Sequence, residues 1–388
     1  MAFACQPGGK PPQPWDAYEV KTLFQILLTG DVHLGRSYQK EPPQLAERLS
    51  SARFEALENA VAAGNREGCR FLVIAGDLYD RVSAIPVEYH KRVAAILGEF
   101  EGHVLVLPGN HDYLSAEGSD LWRKFQEHSP SNTFLFRENG RKVIDGVAFY
   151  GCICHDKHSA QNALGWLREQ PPAEDGLVHI GIAHGAIEGL SYDAKQQYYT
   201  MTEAELLGLP MDAWLIGHTH VAYPAADAVG CRIFNAGTPQ QTDIADNSRG
   251  EAFVLQVADD RSVACRRVRT GVVDFVRRDV SVAQGEPLAD KLSFPGLEGA
   301  RTVLRLHLTG VLSPEEYESR QALYRCLEDS FLKLEVEDAG LRRAITPAMI
   351  DQETMPGTRI NQLLKHYAQQ PELLDLAYEL VLACKGGK

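Results

Sequence analysis

The stretch Phe71-Leu72-Val73-Ile74-Ala75-Gly76-Asp77-Leu78-Tyr79-Asp80 decides the fold. A short apolar, β-prone run breaks off at Gly-Asp, the pattern of a buried strand that delivers polar side chains at its end. Four other runs do the same. Phe24 to Leu28 leads to Gly30-Asp31-Val32-His33, Val104 to Leu107 to Gly109-Asn110-His111-Asp112, Leu177 to Ala183 to His184-Gly185, and Ala213 to Ile216 to Gly217-His218-Thr219-His220. Between them lie amphipathic, Ala- and Glu-rich stretches such as Leu45 to Ala63, where Leu49, Phe54, Leu57 and Val61 recur at helical spacing. The alternation predicts an α/β fold. In open α/β sheets ligands bind in the crevice beyond the carboxyl ends of the strands, so five loops are placed to feed one site.

Composition sets the outer bounds. The 388 residues, 44% hydrophobic and 23% charged, are ordinary for a soluble globular chain of two or three domains, which excludes disordered and collagen-like classes. No apolar run approaches the ~20 residues that span a bilayer, and Met1 to Trp15 has no signal-like apolar run, so a cytoplasmic protein without membrane contact is expected. The eight cysteines form no regular framework and are expected to be reduced thiols. A net charge of −13 argues against coating nucleic acid by bulk electrostatics, but leaves room for a nuclease, because bound cations set the field at a site.

Four segments are expected. Residues 1–21, rich in Pro and Gly, read as a flexible lead-in, and residues 22–268 as the α/β domain. Residues 269–345 read as a small β-α-β module: a strand over Arg301 to Leu308, a helix from Ser313 to Glu328 with Pro314 at its first position, and a strand over Phe331 to Val336. Residues 346–388 comprise a polar linker over 346–357 and two helices, Thr358 to His366 and Pro371 to Cys384.

The strand-end residues are oxygen and imidazole donors without thiolates. Such a set suits Mn²⁺, Fe²⁺ or Zn²⁺ in five- or six-fold coordination rather than a Cys-rich structural zinc site. Asp31 and His33, like His218 and His220, are two apart and project from one extended segment toward a common region. A single His or Gly-Asp after a strand is an ordinary turn. Five together, all ionisable and directed at one crevice, are costly to bury without a compensating cation.

Asp-x-His, Gly-Asp, Gly-Asn-His-Asp, His and Gly-His-x-His occur here in the order that marks the calcineurin-like metallophosphoesterases, and from Leu23 to Val257 the chain resembles that family. Within it, Asp31-Val32-His33-Leu34-Gly35, Gly76-Asp77-Leu78-Tyr79-Asp80, Phe149-Tyr150-Gly151, Asn235-Ala236-Gly237-Thr238-Pro239-Gln240 and the small following module look most like the SbcD-type nuclease subunit of the double-strand-break repair complex. The resemblance implies a four-layer α/β/β/α sandwich with a small C-terminal α/β cap. It implies that Asp31, His33, Asp77 and His220 hold one divalent metal and that Asp77, Asn110, His184 and His218 hold the other, Mn²⁺ being expected with Fe²⁺ or Zn²⁺ as alternatives. His111 is implied as the group that stabilises the transition state or protonates the leaving oxygen. Asp80, in a Gly-Asp-x-x-Asp-Arg spacing similar to that of phosphoprotein phosphatases, is read as the carboxylate that orients His111 and favours its protonated form. Arg36 and Tyr38 are placed to touch substrate. The resemblance further implies a DNA substrate, exonuclease action on duplex ends with endonuclease action on single strands, an SMC-like ATPase partner and homodimerisation through helices of the core.

Other features have plain readings. Cys152-x-Cys154-His155 with His158 resembles half a zinc site but sits where a strand ends, with no second cysteine pair. Arg261, Arg266, Arg267, Arg269, Arg277 and Arg278 form either a backbone-tracking surface or a solvated strand face, and the interspersed Asp259, Asp260, Asp274 and Asp279 favour the latter. The terminal helices either dock a partner or pack on the cap. The rival functions are a small-molecule phosphodiesterase or phosphatase, because the same metal pair serves all of these, and a non-catalytic scaffold, which the complete donor set disfavours.

Overall fold

The computed structural model describes residues 21–115, 119–191, 193, 195–246 and 248–386. The lead-in expected over residues 1–21 lies, but for Lys21, outside them. The chain divides into two compact units between Phe275 and Val276. The change in sequence character predicts that boundary after Val268. Gln240 explains the later position, since its side chain donates to the Val273 carbonyl and accepts from the N–H groups of Val272 and Val273, keeping this segment in the first unit.

The first unit contains β1 (Thr22–Thr29), α1 (Pro43–Arg66), β2 (Phe71–Ala75), α2 (Val87–Gly98), β3 (His103–Leu107), α3 (Ser119–His128), β4 (Thr133–Leu135), β5 (Gly140–Ile144), β6 (Val147–Cys152), α4 (Gly165–Glu169), β7 (Val178–His184), α5 (Glu203–Gly208), β8 (Ala213–Gly217), β9 (Ala228–Val229), β10 (Ile233–Asn235), β11 (Glu251–Ala258) and β12 (Val263–Arg269). They form a seven-stranded sheet, ordered β4-β3-β2-β1-β11-β12-β9, and a five-stranded sheet, ordered β10-β8-β7-β6-β5. Strands β1, β2 and β3 are parallel and in register, so the loops after them emerge at one edge. Strands β7 and β8 are parallel too and deliver theirs from the second sheet.

Three apolar layers hold this unit together. Phe24, Ile26, Leu28, Phe71 and Val73 face Phe149, Ile180, Ile182, Leu215 and Phe234 between the sheets. On the outer side of the first sheet Leu27, Leu72, Ile74 and Val104 pack on Phe54, Leu57 and Val61 of α1 and on Val93 and Leu97 of α2. Outside the second sheet Tyr150, Trp214 and Ile216 pack on Leu164, Leu167 and Leu206. The layering is therefore helix, sheet, sheet, helix, as expected. Each large side chain buried this way is worth roughly 1.5–3 kcal/mol.

The second unit carries most of β13 (Asp274–Val282), then α6 (Leu288–Lys291), β14 (Thr302–Leu312), α7 (Pro314–Glu328), β15 (Lys333–Arg343), α8 (Pro347–Glu353), α9 (Arg359–His366) and α10 (Pro371–Gly386). Strand β14 is central in a three-stranded sheet and parallel to β15, the crossover being α7, whose start is fixed by a reciprocal cap between Ser313 and Glu316. Leu304, Leu306, Leu308, Leu312 and Tyr324 form its core. Two readings need correction. The strand expected over Phe331 to Val336 runs from Lys333 to Arg343, and the linker expected over 346–357 contains α8, started by Thr346 accepting from the Met349 N–H with Pro347 at the first position. Helices α8 to α10 bury Ile350, Leu364, Leu374 and Tyr378 together. No helix among the described residues is long and apolar enough to cross a membrane.

Candidate metal centre

The loops after β1, β2, β3, β7 and β8 bring Asp31, His33, Asp77, Asn110, His111, His184, His218 and His220 into one crevice. Asp31, His33, Asp77, Asn110 and His184 are buried. Close approach of these loops depends on glycine: a Cβ on Gly76, which lies at φ +91°, would sit 2.0 Å from His184 Nδ1, and one on Gly109 would sit 2.2 Å from Asp77 Oδ1. Asp31, His33, Asp77 and His218 themselves have positive φ. Non-glycine residues held there cost about 1–3 kcal/mol each and persist only where surroundings over-determine them.

Donor atoms converge in two groups. His33 Nε2 and His220 Nε2 are 3.2 Å apart, and Asp31 Oδ1 lies 3.9 and 3.8 Å from them. In the other group His184 Nε2 lies 3.0 Å from Asn110 Oδ1 and 3.4 Å from Asp77 Oδ2, while His218 Nδ1 is 3.0 Å from the same Asn110 oxygen. Asp77 Oδ2 is also 3.7 Å from His33 Nε2, so its carboxylate stands between the groups.

The chemistry of these atoms tests whether a cation fits. His184 Nδ1 can only donate to the Ala75 carbonyl at 2.8 Å, which in the neutral ring leaves Nε2 as a lone pair facing Asn110 Oδ1 and Asp77 Oδ2. Three acceptors pointed at one another need a proton or a metal between them. Burial lowers His33, and it carries His218 down to about 3 with the charge of His184 assisting. Burial and the neighbouring His33 likewise put His220 well below its ordinary value. Neutral imidazoles are the form that ligates metal. Burial pushes the Asp31 carboxyl up to about 7. Burial also works to raise Asp77, but His184, His33 and His111 hold it far below the usual carboxylate range. The set fits two divalent ions, and no thiolate takes part.

His111 donates its main-chain N–H to Asp77 Oδ1 at 2.8 Å, and its Nδ1 meets the Asp80 carbonyl oxygen at 3.0 Å. A carbonyl only accepts, so Nδ1 carries a proton and Nε2 is the atom left for chemistry. The orienting role expected of the Asp80 carboxylate needs correction. That carboxylate lies 3.3 Å from His33 Nδ1, and it is the main chain of Asp80 that aligns His111. The reason is a contact between loops: the Asp80 N–H bonds the Leu34 carbonyl, turning the side chain toward the Asp31 loop. Burial works to raise Asp80, while the contact with His33 and the charges of His111 and Arg36 lower it. Arg36 is thus in the electrostatic neighbourhood of the crevice. Tyr38 is engaged otherwise, its hydroxyl accepting from Arg53 Nε at 2.8 Å.

Residues the sequence reading passed over support the centre. Arg53, 1% exposed on the inner face of α1, donates from Nη1 to the carbonyl of Val32 between Asp31 and His33. The signal was a charged residue inside an apolar stripe. Asp112, the last residue of Gly109-Asn110-His111-Asp112, accepts from the N–H groups of Tyr79 and Gly109 and so ties the Asp77 loop to the Asn110 loop. Burial and Asp77 push its carboxyl up to about 8. Cys152 and Cys154 are buried, Cys154 Sγ donating to the His184 carbonyl at 3.4 Å, whereas His155 and His158 are exposed. Arg261, Arg266, Arg267, Arg269 and Arg277 each pair with a carboxylate, as a solvated face requires.

Comparison with known proteins bears on the whole arrangement. The chain is 25% identical over 351 residues, 86% of its length and 82% of the other's, to a Bacillus subtilis (strain 168) protein named uncharacterized metallophosphoesterase YhaO. It is 23% identical over 167 residues, 42% of this chain and 58% of the other, to a Fibrobacter succinogenes protein named probable cyclic nucleotide phosphodiesterase. Among solved structures, TT1561 of Thermus thermophilus matches with a TM-score of 0.39 at 14% identity, over 64% of this chain and 100% of that one. The profile of the calcineurin-like phosphoesterases matches residues 24–222, the span that carries every donor described above, and the chain belongs to that family.

Proposed function

We propose that this chain is a phosphodiesterase that uses two divalent metal ions, Mn²⁺ by preference, and that its substrate is DNA, cut from duplex ends and within single strands. Family membership makes it a hydrolase of ester bonds. The observation that carries the reading is the convergence of His184 Nε2, Asn110 Oδ1 and Asp77 Oδ2 beside the His33 and His220 pair, acceptors that a metal ion reconciles once it displaces the proton otherwise shared among them. A bound metal pair supplies Lewis acidity and offsets charge on a phosphoryl group. Asp77 lies between both sets of donors, and Asp112 and Arg53 hold the loops that present them. His111, its ring fixed through Nδ1, gives the Nε2 proton of its imidazolium form to the leaving oxygen and is left neutral with its remaining proton on Nδ1.

DNA as substrate rests on the resemblance to the SbcD-type nucleases. A partner fits that reading, because Met355, Ile360, Leu376 and Leu380 in the C-terminal helical region are more than half exposed, and Met355, Ile360, Leu380 and Val381 line one groove. We take an SMC-like ATPase as that partner and homodimerisation as the further assembly. A second reading, hydrolysis of cyclic nucleotides, is favoured by the name of the Fibrobacter relative.

The test is Mn²⁺-dependent cleavage of end-labelled linear duplex and single-stranded DNA, with cyclic nucleotides assayed in parallel and His111→Ala as control. DNA products that require both Mn²⁺ and His111 support the nuclease. Turnover of cyclic nucleotides with intact DNA transfers the proposal to the second reading.

A further inference from the structure

We infer that Thr242 and Asp246 are positioning residues for His220, acting through a relay that fixes which ring nitrogen faces the metal; this rests on the two-metal reading above. Nothing in the strand-end pattern points to them, since they lie in the loop between β10 and β11.

Asp246 Oδ2 accepts from the Thr242 N–H at 2.6 Å, from the Asp243 N–H at 3.1 Å and from the Thr242 hydroxyl at 2.6 Å. An ionised carboxylate only accepts, so the hydroxyl proton points at Asp246 and the hydroxyl lone pair is left open. His220 Nδ1 lies 3.3 Å from that oxygen and 3.9 Å from Asp246 Oδ1. The proton of neutral His220 therefore resides on Nδ1, and Nε2 is presented bare to His33 Nε2, 3.2 Å away. Asp80 stands toward His33 Nδ1 as Thr242 and Asp246 stand toward His220, so both imidazoles of this group have an oxygen behind them. Such outer partners orient the ring and raise its basicity toward metal.

The loop is itself clamped. The buried Gln241 accepts from the Phe275 N–H at 2.9 Å and donates to the carbonyls of Phe275 and Asp243, while Gln240 bonds Val272 and Val273. Two adjacent amides thus hold Thr242 at a fixed depth behind His220.

The experiment is a Mn²⁺-binding isotherm read by electron paramagnetic resonance on the full chain, for wild type, Thr242→Val, Asp246→Ala and the rescue variant Thr242→Ser, with the unfolding temperature of each. The expected result is two sites in wild type, one of them weakened about 10- to 100-fold by Thr242→Val and by Asp246→Ala, the other unmoved, and recovery in Thr242→Ser. Wild-type affinity at both sites in the Val and Ala variants overturns the inference and leaves the two-metal reading standing. Equal weakening of both sites together with a lower unfolding temperature also overturns it, because that is loss of a loop and not of a tautomer. A wild-type chain that takes up no Mn²⁺, Fe²⁺ or Zn²⁺ removes the reading and the inference together.

Discussion

Adding one methyl group at Gly109 tests how tightly the loops of the centre are packed. The Cβ of Gly109→Ala would stand 2.2 Å from Asp77 Oδ1 and 2.5 Å from the Asp77 main-chain nitrogen, where ordinary contact begins at 3.4 Å. Asp77 cannot turn away from a clash with its own backbone, so the loop after β2 and the loop after β3 must separate by about 1 Å in an interior that packs like a crystal. That movement strains the 2.8 Å bond from the His111 N–H to Asp77 and the 2.9 Å bond from the Tyr79 N–H to Asp112. A misplacement of this size costs about 10²-fold in rate, and overpacking costs about 1–3 kcal/mol in stability, equivalent to a melting temperature lower by roughly 2–12 °C for a unit of this size. The assay is hydrolysis of bis-p-nitrophenyl phosphate at saturating Mn²⁺, with metal content by atomic emission and unfolding by calorimetry. A Gly109→Ala chain within threefold of wild-type turnover, at unchanged metal content and melting temperature, would refute the argument that these loops meet through glycine.

Two further outcomes follow from titration. Burial alone would lower His184, but the Asp77 carboxylate overrides it and carries the imidazole up to about 9, while burial lifts Asp31 to about 7. Metal must displace those protons, so Mn²⁺ affinity rises between pH 6 and 9, and an isotherm series flat over that range contradicts the assignment of His184 and Asp31 as ligands. Burial lowers His90 to about 4, its Nδ1 paired at 2.9 Å with the hydroxyl of Tyr79. Its folded value is below the unfolded ~6.5, so the unfolded chain binds the extra proton first and stability falls as pH drops from about 6.5 toward 4, by at most about 3 kcal/mol. Urea midpoints across that interval should flatten in His90→Phe, and an unchanged slope removes His90 as the source.

The strand ends were legible because a few local rules agree there: an apolar β-prone run, then Gly, then a donor. Phe71 to Asp77 shows it most plainly, and β2, β3, β7 and β8 fall within a residue or so of their expected bounds. What was not legible is mostly long-range. Thr242 and Asp246 gain meaning only when the loop between β10 and β11 is folded behind His220, 22 residues back from Thr242. The direction of the Asp80 side chain depends on a bridge to Leu34, which no spacing rule encodes. The start of α8 is a different case, since Thr346-Pro347 is the same start signal as Ser313-Pro314 and was masked by the polar residues after it.

Strand β1 sits in the middle of the seven-stranded sheet, with β2 on one side and β11, antiparallel, on the other, Leu28 facing Phe253 and Thr22 facing Ala258. During synthesis, one flank of this apolar strand stays unpaired until the ribosome has released residues beyond Ala258, although the donors Asp31 and His33 emerged long before. A nascent chain stalled or cleaved before β11 therefore presents Ile26, Leu27 and Leu28 as an open edge to chaperones and to other chains.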